Sequence, residues 1–170
     1  MNRWKLALLF AACTAVVLSL CVSRPVGAEH FDILLKVVSG DKQAQAAMDT
    51  TPPIGGVNPR PVVHVNAGDE VKIPWQMKNG FPHGSQKKVT IHFFVVREAA
   101  LGQKPVPDPA GQSGVVDNSF VMDFAPAAAA NGSLRFKPTD KGSYLVRVQS
   151  ENTHDAHGHE HFAGIDLDVQ

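Results

Sequence analysis

The chain predicts an all-β sandwich of two sheets, and three observations carry that prediction. Alternation of apolar and polar residues recurs throughout, while helical spacing of apolar residues is nearly absent. Twelve prolines and fourteen glycines punctuate the alternating stretches. Those stretches number seven or eight and show no internal repeat, which describes a Greek-key β-sandwich.

The elements follow in order. Phe31, Ile33, Leu35 and Val37 alternate with Asp32 and Lys36 in a first strand. Residues 40–61 read as irregular, with one or two helical turns expected over Lys42 to Met48. Val62 to Val65 is a short strand, and Ala67-Gly68-Asp69 turns it into another. That next strand sets Val71, Ile73, Trp75 and Met77 on one face, with Pro74 predicting an edge or a bulge. Val89 to Val96 is apolar on both faces, as a central strand is. Residues 99–114 form a long loop with three prolines. Phe120, Met122 and Phe124 mark a strand, and Ala127 to Ala130 reads as a loop between Pro126 and Asn131-Gly132. Leu134 and Phe136 begin the closing half. Tyr144, Val146 and Val148 follow, then Ile165, Leu167 and Val169 against outward Asp166 and Asp168.

The first residues read as a secretory signal peptide. Arg3 and Lys5 precede an apolar run from Leu6 to Val22, and Val26-Gly27-Ala28 supplies a small-residue exit. We expect cleavage after Ala28 and a single domain over 29–170. The run is shorter than the ~20 residues of a spanning helix, so no membrane span is expected in the mature chain. Leu18-Ser19-Leu20-Cys21 faintly resembles a lipoprotein site, but Leu20 is too large before the cysteine. The expected location is the periplasm or the extracellular space. Cys13 and Cys21 both lie in the leader, so the mature chain has neither thiolate nor disulfide. Losing Arg3, Lys5 and Arg24 takes the formal charge from zero to −3. That argues against nucleic acid as a partner.

Asp140-Lys141-Gly142-Ser143-Tyr144 resembles the tyrosine corner of immunoglobulin-like sandwiches. A wider match resembles the cupredoxins. Val62 to Val71 is similar to their early strand–Gly-Asp turn–strand. Asn79-Gly80-Phe81-Pro82-His83 is similar to the loop holding their first copper histidine. Phe136-Lys137-Pro138, Gly142-Ser143-Tyr144 and Gly164-Ile165-Asp166-Leu167 are similar to their closing half. The resemblance implies His83 as a first ligand and His154 as a second. It also requires a cysteine near Val148, Gln149 and Ser150, and a methionine near Phe162; this chain has neither. Thiolate makes the blue electron-transfer site, so blue-copper electron transfer is not expected.

Half of the eight histidines crowd into Thr153 to His161, as His154, His157, His159 and His161. Imidazole is the commonest protein metal ligand near neutral pH. In a sandwich of this kind the loop holding His83 and the loop holding the cluster gather at one end. Imidazoles with carboxylates and no sulfur suit Cu(II) or Zn, and Asp155 and Glu160 are candidate supporting groups. His157, His159 and His161 share one parity. Along a straight strand they would span about 13 Å at ~3.3 Å per residue, too far for one ion without curvature. The same parity carries Ile165, Leu167 and Val169 and aims His161 toward the core, unless Gly164 resets the register. His64 and His92 lie within strands and read as packed or rim residues.

Two functions compete at this level. One is an exported protein binding Cu(II) or Zn through His83, His154, His157, His159 and His161. The other is a metal-free, immunoglobulin-like binding or structural module facing an unidentified protein partner. No nucleophile signature or phosphate loop is legible, so an enzyme with an open histidine-held metal is the third reading.

Overall fold

The computed structural model describes residues 31–47, 60–81, 84–151 and 161–170. These hold nine strands: β1 (Phe31–Ser39), β2 (Lys42–Ala47), β3 (Val62–Val65), β4 (Val71–Asn79), β5 (Gln86–Glu98), β6 (Val116–Phe124), β7 (Ala129–Phe136), β8 (Gly142–Glu151) and β9 (His161–Val169). Two sheets result, with orders β2-β1-β4-β7 and β3-β9-β8-β5-β6. β4 and β7 pair in the first sheet, while the β5–β6 hairpin between them in sequence belongs to the second. The chain therefore crosses between sheets on the way out and back, a Greek-key connection.

The inward parity of each strand builds one core. Phe31, Ile33, Leu35 and Val37 of β1 meet Val146 and Val148 of β8 and Ile165 and Leu167 of β9. Each such side chain contributes about 1.5–3 kcal/mol when fully buried. Tyr144 Oη donates to the Asp140 carbonyl at 3.0 Å, closing the tyrosine corner that Asp140 to Tyr144 predicts. β5 is apolar on both faces because it is covered twice. Ile91, Phe93 and Val95 enter the core, while Phe94 and Val96 join Leu145 and Val106 beneath the 99–115 connection.

Four local expectations are corrected. Lys42 to Met48 forms no helical turns over its described part: Lys42–Ala47 is β2, paired antiparallel with β1 from Ser39–Lys42 onward. A Gly40–Asp41 turn sets this hairpin, with Gly40 at φ +60°. Cross-strand pairing there overrides the helix propensity of a Gln- and Ala-rich run.

Pro74 occupies neither an edge nor a bulge. β4 lies between β1 and β7. Its ladder to β1 omits the positions opposite Ile73 and Pro74, then resumes at Val38–Lys72 in the same register. The ladder to β7 runs unbroken, Pro74 standing opposite Ser133. The absent amide donor thus falls in a gap on one side only.

Ala129 and Ala130 open β7 rather than belonging to a loop, and Asn131-Gly132 is strand interior. The turn comes earlier, at Ala125 to Ala128, with Pro126 second and Ala127 third at φ +58°. Gly132 stands opposite Trp75, and a Cβ there would lie 2.5 Å from the indole.

Asp166, read as an outward solvated carboxylate, is 2% exposed. The 99–115 connection and Arg60 cover it, as described below.

Candidate functional site at the Phe81–His161 pole

β1 begins, β4 ends and β9 begins at one pole of the sandwich. Phe31, Phe81 and Phe124 meet there, Phe31 lying 5.4 Å from Phe81 and 4.9 Å from Phe124 between ring centroids. His161 completes the group, 6.2 Å from Phe31 and 6.1 Å from Phe81, edge to face. Aromatic pairs prefer such geometry because a ring edge is positive and its face negative.

Parity puts His161 there. The β8–β9 ladder runs from Ser150–His161 to Gly142–Val169 without a shift. Gly164 therefore does not reset the register, and His161 shares the inward face with Ala163, Ile165, Leu167 and Val169. Its ring is buried rather than turned to solvent. Across the ladder stands Ser150, also buried. Ser150 offers a hydroxyl where the cupredoxin resemblance requires a thiolate, so this position does not fit a blue-copper ligand.

Asn79 organises the bend beside this pole, a role the sequence reading missed. Its amide group donates to the carbonyls of Gly84 (3.0 Å) and Ala125 (3.1 Å), and its side-chain oxygen accepts from the Phe81 amide (3.0 Å). Its backbone amide donates to Ala128. A buried asparagine with these partners is fully employed. An Asn-Gly pair ending an alternating stretch was the available signal.

His83, His154, His157 and His159 lie outside the described residues. Among the described residues no group of three or more His, Cys, Asp or Glu is arranged to hold a metal.

The remaining described histidines lie on the outer face of the five-stranded sheet. His64 Nδ1 meets Asp168 Oδ2 at 2.8 Å near the surface. His92 is held more tightly, with Nε2 at 2.6 Å from Asp117 and Nδ1 at 2.9 Å from Glu151. Glu151 also accepts from Gln149 Nε2 (2.9 Å), and Gln149 Oε1 from Arg147 Nε (2.5 Å). Arg147 stacks on Phe162 at 3.9 Å. Side chains on one sheet face thus satisfy one another in a row, which rigidifies that face. At the start of β5, away from its connection to β6, the Asp123 carboxyl is held below its usual range. The Lys88 amide bonds it first, and Lys87 adds a second bond.

The sequence matches no protein-family model and no curated protein. No helix among the described residues is long and apolar enough to cross a membrane.

Proposed function

We propose that this is an exported, cupredoxin-related sandwich that binds Cu(II) or Zn(II) through His83 and the imidazoles of the His154–His161 stretch. One observation supports the reading most: Phe81 and His161 stand ring to ring at 6.1 Å. Phe81 and Gly84 bracket the first histidine-bearing stretch, and Glu151 and His161 bracket the second. Asn79 bonds both Phe81 and Gly84, and Ser150, adjoining Glu151, pairs with His161. Nitrogen donors without sulfur suit Cu(II) or Zn and do not suit a blue-copper centre.

Calorimetric titration of the tag-free mature protein with Cu(II) and with Zn(II) tests the reading. We expect one-to-one binding at micromolar affinity or tighter. His83→Ala and the combined His154→Ala, His157→Ala and His159→Ala variant should each weaken it at least tenfold, about 1.4 kcal/mol. Binding unchanged in His83→Ala removes the joint site. Absence of stoichiometric binding removes the metal reading and leaves the metal-free module.

A further inference from the structure

Away from that pole, Arg60, Glu98 and Asp166 form an ion cluster beneath the 99–115 connection. Arg60 Nη2 donates to Glu98 Oε1 at 2.6 Å, and Arg60 Nε lies 2.7 Å from Asp166 Oδ1. The side chains are 15%, 0% and 2% exposed. Two carboxylates share one guanidinium, so the fully ionised cluster holds an uncompensated negative charge away from water. Glu98 Oε2 is buried with no hydrogen-bond partner among the described residues. A carboxylate oxygen in that position is costly; a carboxylic acid is much less so.

The same cluster ties down the connection. Asp166 Oδ2 accepts the amide of Gly102 at 2.8 Å. Val106 packs on Phe94, Val96 and Leu145. Gln112 Oε1 accepts from the Arg97 amide at 3.1 Å. The connection is a strap over Phe94, Val96 and Leu145 on the outer sheet face, anchored at its near end by one of the two competing carboxylates.

We propose that Arg60, Glu98 and Asp166 are a proton-operated latch: one proton shared by Glu98 and Asp166 fastens the 99–115 strap, and its loss loosens the strap from Phe94, Val96 and Leu145.

Electrostatics point the same way. Burial pushes the Glu98 carboxyl up against the pull of Arg60, and the Asp166 charge pushes it further. Burial likewise raises Asp166, against Arg60 and the Gly102 amide. The fastened state therefore binds the proton more tightly than a hydrated, opened one. Below the ordinary carboxylate range both states are protonated and pH has no effect. As pH rises from that range through the raised values, the fastened state loses ground by up to about tenfold per pH unit for one proton. Other charged groups on the neighbouring elements have their own partners. Asp168 of β9 meets His64 of β3, Arg97 of β5 reaches Asp140, and Arg147 of β8 stacks on Phe162. β8 places Leu145 opposite Asp166 and Ser143 opposite Glu98, neither ionisable. The strap itself carries Lys104 and Asp108, both exposed.

Nuclear magnetic resonance on the full mature chain tests this from about pH 4 to about pH 8. Carboxyl carbon shifts of Glu98 and Asp166 follow the proton; amide-exchange protection of Gly102, corrected for intrinsic rates, follows the strap. We expect at least one of the two carboxyls to titrate above the ordinary range. Gly102 protection should fall with rising pH, while Val146 and Ile165 in the inter-sheet core keep theirs. Glu98→Gln, which supplies a neutral group at any pH, should flatten the Gly102 profile. Both carboxyls titrating in the ordinary range would overturn the latch, with or without a foldable variant. So would a flat Gly102 profile in the unmodified protein, loss of core protection in parallel, or an unchanged slope in Glu98→Gln.

Discussion

His161 and Asp166 lie on one strand, both almost completely buried at 1% and 2% exposure, yet for different reasons. His161 is buried by parity. It faces the opposite sheet, and its neighbours are the rings of Phe31 and Phe81. Asp166 is on the outward face and is buried by a distant stretch of chain that lies over it, bringing the Gly102 amide and standing beside Arg60. Inward parity is written in the alternation around a residue. Cover on an outward face is written elsewhere in the chain. Parity alone sets the first kind of residue among the side chains of the opposite sheet, whereas Asp166 on the covered outward face stands beside a counter-charge.

The sharpest way to break this comparison is to remove the counter-charge. Arg60→Met should strand two buried carboxylates and cost about 3–5 kcal/mol in denaturant unfolding. A loss under about 1 kcal/mol would mean that Asp166 and Glu98 reach water and that the outer face is not closed. Next in size, His161→Ala empties a place in the aromatic group and should cost about 2–4 kcal/mol by the same measurement. His64→Ala, whose side chain is 59% exposed, should stay within about 0.5 kcal/mol and serves as the control.

Smaller effects sharpen the parity half of the comparison. Gly132→Ala should clash with Trp75 and cost about 1–3 kcal/mol, with partial recovery on adding Trp75→Leu. Additive losses in that double variant would show that the indole is not the obstacle. Tyr144→Phe removes the bond to the Asp140 carbonyl and should cost about 1 kcal/mol, read as a lowered midpoint of thermal unfolding. Asp168→Ala, the other half of the control pair, should cost less than about 1 kcal/mol despite its ion pair with His64, since that pair is screened by solvent.

Much of the fold was legible because it rests on local pattern. Eight of the nine strands coincide with alternating or doubly apolar stretches, and the tyrosine corner with a short motif. β2 was not legible, because Lys42 to Ala47 carries little apolar alternation and pairs only through the Gly40–Asp41 turn. Pro74 misled because its effect depends on which neighbour would have accepted its amide. Of the polar sites, Asn79 left a faint trace and Arg60 none, standing alone between two prolines. Glu98 could have been suspected. It shares the outward parity of Phe94 and Val96, and apolar residues on an outward face require a cover.

Alternation, the lack of cysteine after Cys21 and the crowding of histidines near the C-terminus are properties of the sequence alone. They determine an all-β chain whose strands and histidine-rich stretch offer nitrogen donors and no sulfur from cysteine, because side-chain direction along a strand and ligand chemistry are both local. Only the tertiary structure decides which stretches become neighbours: that Phe81 meets His161, and that Arg60 reaches both Glu98 and Asp166. Those contacts are made when two sheets stack and a connection folds over one of them. No residue's immediate surroundings encode what arrives from far along the chain.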